Sequence, residues 1–247
     1  MKILGRILLV VLTLLLLGYG YWRYDHADRE SKPTEAALAA LASDEGVEVI
    51  ENEWYIFKPR DAEPSTGLIF YPGGEVDERG YAQPLHEIAA AGYLVVMVPM
   101  PLQLAVFDID AAAEVVQQFP EIQTWAIAGH SLGGSMAAVY AADNMDSIAG
   151  LLLWDSYAPG DMTASPQHIT MIHRADDSGN PPPDYMDKLP LLPEQTQYLA
   201  LKGGQHLNFG SFVAGRMYRN QPEPDLNPDQ QRAMVAEGSV AFLESLD

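Results

Sequence analysis

The chain has 247 residues, 48% hydrophobic and 19% charged, with a formal charge of -20 and a pI near 4.4. That balance excludes a largely disordered chain, and the 14 scattered Lys and Arg exclude the clustered basic surface that nucleic acid requires. The absence of cysteine excludes disulfides, thiol chemistry and a cysteine-linked lipid anchor.

From Lys2 and Arg6 through the apolar run Ile7–Leu17 to Tyr21, Trp22 and Arg23, the N-terminus reads as a basic region, an apolar helix and an aromatic-basic boundary. Signal peptide and signal anchor both fit that pattern. No Ala-x-Ala cleavage site follows the run, which favours an uncleaved anchor over residues 1–23 with the catalytic domain outside the cytoplasm. Residues 24–44 turn polar and then alanine-rich, as in a stalk or linker. The domain is expected over 45–247.

Val47–Ile50 and Trp54–Phe57 predict an opening hairpin at a sheet edge. A repeating order follows: strand Thr66–Tyr71, glycine loop, helix Tyr81–Ala91, strand Tyr93–Val98, helix Asp110–Phe119, strand Thr124–Ala128, helix Leu132–Ala142 and strand Ile148–Trp154. Strands Ile169–His173 and Tyr198–Leu201 and a helix Pro228–Leu246 complete the chain. The alternation predicts an α/β fold, a mostly parallel twisted sheet with helices on both faces. The segment between Trp154 and Ile169 is too short for a large cap, so the site is expected to be open, covered at most by the Pro-rich stretch Ser178–Met186.

The chemistry is expected at Gly129-His130-Ser131-Leu132-Gly133, where a strand ends and a small-residue helix begins. Gly-x-Ser-x-Gly in that context is the form of a nucleophile elbow, a sharp turn that projects Ser131 and leaves no room for bulky neighbours. Of six histidines, His206 lies in a glycine-flanked loop after a late strand, the place for a general base. His130 is assigned no role, because its side chain is expected to point away across the elbow. The acid that orients the base is first sought at Asp177, after strand Ile169–His173, with Asp155 and Asp176 as alternatives. Oxyanion donors are expected from Leu132 N–H and from Pro72-Gly73-Gly74, with Gly74 preferred and Gly73 in reserve. Leu102, Leu104, Val106 and Phe107 are candidates for an acyl pocket, although their composition favours the core. With neither His-Glu-x-x-His nor Cys/His spacing, no metal and no organic cofactor is expected.

Together, Pro72-Gly73-Gly74-Glu75 with Tyr81-Ala82, Gly92-Tyr93-Leu94-Val95-Val96 leading into Pro99-Met100-Pro101, Gly129-His130-Ser131-Leu132-Gly133-Gly134, and Gly203-Gly204-Gln205-His206 resemble the α/β-hydrolase fold-5 family, a dienelactone-hydrolase-like group. The resemblance runs from about Val47 to the C-terminus and implies an α/β-hydrolase fold with a Ser131, Asp177, His206 triad. Gln205 and Ser178 depart from it, since such proteins tend to carry Asn and Gly there. The expected function is serine hydrolysis of an ester or related acyl bond through an acyl-enzyme, with a small-molecule acyl substrate and the membrane as partners and no obligate protein partner. Acyl transfer or peptidase action with the same triad, and a non-catalytic binding module on the same fold, are the alternatives.

Overall fold

The computed structural model describes residues 2–246. Met1 and Asp247, the outer limits of the expected division into 1–23, 24–44 and 45–247, lie outside the described residues. In chain order the elements are α1 (Lys2–Arg29), β1 (Lys32–Pro33), α2 (Glu35–Ala39), β2 (Val47–Glu51), β3 (Tyr55–Pro59), β4 (Thr66–Tyr71), α3 (Ala82–Ala90), β5 (Leu94–Met97), α4 (Ala112–Gln118), β6 (Thr124–His130) and α5 (Leu132–Asp143). They continue as β7 (Gly150–Trp154), β8 (His168–Ala175), α6 (Pro183–Met186), β9 (Gln197–Lys202), β10 (Phe212–Val213) and α7 (Pro228–Glu244).

Eight strands form one sheet in the order β2-β3-β5-β4-β6-β7-β8-β9. The expected hairpin β2–β3 is antiparallel and joins β5 antiparallel, whereas every pair from β5 to β9 is parallel. Strands β4 and β7 are buried along their whole length, as continuous apolar runs must be when helices cover both faces. Side-chain alternation divides the core in two. Leu68 and Phe70 belong with Leu85 and Ile88 of α3 and Val235 and Phe242 of α7, while Ile69 and Tyr71 belong with Val115 of α4 and Ala137 and Ala141 of α5. Among the described residues there is no large cap, and this α/β architecture is the one the strand and helix alternation predicts.

The chain order reverses between β4 and β6: β5 lies to one side of β4, and β6 returns to the other. Tyr71 and Gly129 are in register across that switch, so the loop after β4 and the turn after β6 open side by side. Helix α5 packs unusually close to this point because its first turn is glycine. A Cβ on Gly133 would stand 2.2 Å from the carbonyl oxygens of both Tyr71 and Pro72.

The segment expected as a linker lies against the domain. β1 pairs with β10, Thr34 caps α2 through Ala37 N–H at 3.2 Å, and Gly215 N–H donates to Ser31 Oγ at 3.1 Å. Arg216 pairs with Asp25 and Arg219 with Asp28, each at 2.8 Å, which ties the end of α1 to the same surface. The expectation of a membrane anchor is corrected. Among the described residues no helix is long and apolar enough to cross a membrane, which overturns the membrane-anchored, outward-facing localisation and leaves the membrane as partner without support. The run Ile7–Leu17 measures only about 16 Å along a helix, roughly half a hydrocarbon core, and Arg23, Asp25, His26, Asp28 and Arg29 follow it in α1.

Gly133→Ala is expected to destabilise the fold by about 1–3 kcal/mol through overpacking. Gly160→Ala, where an added Cβ meets nothing within 4 Å, is expected to be neutral within about 0.5 kcal/mol. Urea unfolding of both variants beside the parent measures this.

Candidate active site

Ser131 joins β6 to α5 with φ 52 and ψ -122, a strained backbone for a residue with a side chain. Its position is held from both sides: its N–H donates to Trp154 O at 3.1 Å, and its carbonyl accepts from Ser156 Oγ at 2.6 Å. The turn brings the hydroxyl out of the sheet toward the loop after β9.

That loop carries His206. Gly203 turns the chain at φ +72, and the buried Gln231 of α7 grips the backbone of Gln205, accepting from its N–H at 3.0 Å and donating to its carbonyl at 2.8 Å. Phe209, wholly buried, anchors the turn His206–Phe209. His206 Nε2 lies 3.0 Å from Ser131 Oγ, and His206 Nδ1 lies 2.5 Å from Asp155 Oδ2. A carboxylate only accepts, so the imidazole proton sits on Nδ1 and leaves Nε2 to accept from the serine hydroxyl.

The acid at the imidazole is therefore Asp155, not Asp177. Trp154 is in register with His130 on one side and Ile172 on the other, so Asp155 leaves β7 level with Ser131 leaving β6. Its side chain is wholly buried, and its backbone takes φ 41. Arg174 N–H donates to Oδ1 at 3.1 Å, Arg174 Nε forms an ion pair with Oδ2 at 3.1 Å, and Tyr185 Oη donates to the Asp155 carbonyl at 2.6 Å. Asp177 is exposed because β8 runs two residues past the expected end at His173 and stays paired with β9 through Ala175 and Lys202. The next turn is closed by Asp176, whose Oδ1 accepts from Ser178 N–H at 2.9 Å and Asn180 N–H at 2.8 Å. Both alternatives to Asp155 are thus carried out to solvent.

The oxyanion candidates separate as well. Gly73 N–H donates to Tyr81 Oη at 3.2 Å; among the described residues no protein acceptor takes the N–H groups of Gly74 or Leu132. Tyr81 Oη also meets His130 Nδ1 at 2.7 Å. His130 is buried with its ring centroid 4.4 Å from that of His206. Burial first, then the proximity of the second imidazole of His206, hold its imidazole well below the ordinary histidine value, so it stays neutral. His130 thus packs directly beside His206, where it was expected to point away across the elbow. His130, Asp155 and His206 each bring a potential ligand atom within 4.8 Å of the others. Hydrogen bonds to Tyr81 and Ser131 and between His206 and Asp155 occupy the ring nitrogens of this cluster except His130 Nε2, which is buried without a hydrogen-bond partner.

Beside Ser131 a cavity of about 310 Å³ is lined by Leu132, Ser135, Met136, Ser156, Tyr157, Pro159 and Tyr185. Of the apolar residues after β5, Leu102, Val106 and Phe107 are about half exposed or more, at 58%, 49% and 59%, so they are not core. Leu104 and the cavity's Leu132 both border Gly74, 3.3 and 3.2 Å from where a Cβ would stand there. The Pro-rich stretch folds into α6 and places Tyr185 over the acid. Arg174, Tyr185 and Gln231 were given no role from the sequence, and Tyr81 entered only among the residues that carry the family resemblance, since their contacts here are made across distant segments.

A family model described as alpha/beta hydrolase family matches residues 67–221, more than half of the chain. The chain belongs to the alpha/beta hydrolase family. This hydrolase has no match among curated proteins, but solved structures share its fold. It is similar to carboxyl esterase 2 from the mycorrhizal fungus Tuber melanosporum, at 11% identity and TM-score 0.57 over 89% of this chain and 91% of that one. It is also similar to a soluble variant of monoglyceride lipase from Saccharomyces cerevisiae, at 9% identity and TM-score 0.57 over 84% and 98%. Dienelactone hydrolase from Anabaena variabilis matches at 13% identity and TM-score 0.55 over 81% and 98%.

If Asp155 orients His206 in this hydrolase, Asp155→Asn slows the reaction of Ser131 with a fluorophosphonate on the order of 10³-fold or more. Asp177→Asn stays within about twofold, as a solvent-exposed change should. Intact-mass spectrometry against time reads both rates.

Proposed function

We propose that the protein is a serine hydrolase that cleaves an ester or related acyl bond through an acyl-enzyme, with Ser131 as nucleophile, His206 as general base and Asp155 as the acid that orients it. The observation that carries this reading is the continuous chain from Ser131 Oγ through both nitrogens of His206 to the buried Asp155 carboxylate, at 3.0 and 2.5 Å.

In this reading Ser131 Oγ attacks the acyl carbon as its proton passes to His206 Nε2, and Asp155 stabilises the imidazolium that results. The oxyanion takes the unused N–H groups of Leu132 and Gly74, while Gly73 keeps its bond to Tyr81. Collapse expels the alcohol, which receives the proton from His206. Water then attacks the acyl-enzyme with His206 again as base, returning Ser131 and a carboxylic acid. The cavity of about 310 Å³ beside Ser131, partly aromatic and partly hydroxylated, accommodates one side of the scissile bond. Exposed Leu102, Val106 and Phe107 favour an apolar group on the other. The similar structures carry the fold, and their names, an esterase, a lipase and a dienelactone hydrolase, agree with a carboxylic ester as the bond attacked.

Para-nitrophenyl esters of increasing acyl length test the proposal. The expected result is hydrolysis with a burst of nitrophenol equal to the protein present, abolished in Ser131→Ala and reduced on the order of 10³-fold or more in His206→Ala. Hydrolysis that survives in Ser131→Ala would overturn the assignment.

A further inference from the structure

The carboxylate that orients the base also carries a second cation. Asp155 Oδ2 is 2.5 Å from His206 Nδ1 and 3.1 Å from Arg174 Nε, while Asp155 Oδ1 accepts from Arg174 N–H at 3.1 Å. Hydrogen bonds from backbone and imidazole alone would leave the full carboxylate charge to the imidazolium. Here a guanidinium, which cannot lose its proton, stands at the same oxygen. It is held there: its centre lies 6.0 Å over the ring of Tyr185, whose hydroxyl in turn bonds the Asp155 carbonyl.

We propose that Arg174 is a positioning residue that weakens the hold of Asp155 on a protonated His206, so that the base stays unprotonated to lower pH. This rests on the serine hydrolase reading for its kinetic consequence, though not for its effect on the imidazole. Two effects act in one direction. The guanidinium neutralises part of the carboxylate charge, and it repels an imidazolium that approaches the same oxygen. The other groups around His206 add no charge that reverses this. From β6, His130 is kept neutral by burial. Tyr185 from α6 and Tyr218, stacked 5.9 Å from His206, are held protonated, each raised above its ordinary value by burial. From α7, Gln231 is uncharged, and Arg232 is paired with Asp229 while it donates to Gly210 O at 3.3 Å. In the turn after β8, Asp176 is bonded to Ser178 and Asn180.

The test follows the His206 ring protons by NMR across pH in the full chain, assigned by their loss in His206→Gln, beside the pH dependence of kcat/KM. In Arg174→Gln the midpoint of the His206 titration is expected to move up by about one pH unit, and the acid limb of kcat/KM moves with it. Arg174→Lys, which keeps the charge, is expected to restore most of the shift. Should Arg174→Gln fail to fold, Arg174→Met retains the aliphatic stem over Tyr185 and carries the same expectation. A folded variant whose His206 titration is unmoved or moves down overturns the proposal. So does a rise in KM confined to carboxylate-bearing esters with an unmoved titration, which would make Arg174 a substrate contact. Absence of any ester hydrolysis would count against the serine hydrolase reading, and the titration would still decide the role of Arg174.

Discussion

A carboxylate buried at the end of a parallel strand is the constraint on which the site depends. Asp155 is wholly inaccessible, and an ionised group there is tolerated only when its oxygens are satisfied; leaving such a charge unpaired costs about 3–5 kcal/mol. The surrounding structure supplies those partners from two segments, His206 from the loop after β9 and the backbone and guanidinium of Arg174 from β8, and a third, α6, brings Tyr185 to the adjoining carbonyl. The requirement to satisfy one acid thus draws three separate segments over the strand ends, and the histidine among them arrives with its tautomer already set.

The sheet provides the positions from which this happens. Ser131 and Asp155 each follow a residue paired across β6 and β7, so the serine and the aspartate leave neighbouring strands at one level. The glycine turn of α5 permits the helix to approach the carbonyls of Tyr71 and Pro72, which presents its first N–H beside the loop after β4. Strain at Ser131 and Asp155, both at positive φ and both at strand ends, is supported by the continuous pairing of β4, β6, β7 and β8 behind them.

Most of this architecture was legible because its signals are local. β4 has the bounds that its apolar run predicts, and the elbow glycines marked the β6–α5 turn because only glycine fits there. The acid at the imidazole was legible only as a choice among three aspartates. The sequence places Asp155, Asp176 and Asp177 all after strands, and what separates them is the two-residue extension of β8 alongside β9, a non-local pairing that periodicity does not encode. His130 was misjudged for a similar reason: the loop bearing Tyr81 and the loop bearing His206 meet over it, 49 residues away in one direction. The apolar N-terminal run and its basic and aromatic flanks drew the reading toward a membrane segment, whereas the short apolar span and the charged end of α1 decide otherwise. Arg174 left no trace in the sequence, since an arginine at a strand end is ordinarily a solvated charge.

The most direct measurement is the proton NMR spectrum of the full chain at low temperature, read far downfield for the imidazole proton bound between His206 Nδ1 and the acid. The account predicts one such resonance that disappears in His206→Gln and in Asp155→Asn and persists in Asp177→Asn. A resonance that survives in Asp155→Asn and vanishes in Asp177→Asn would contradict it.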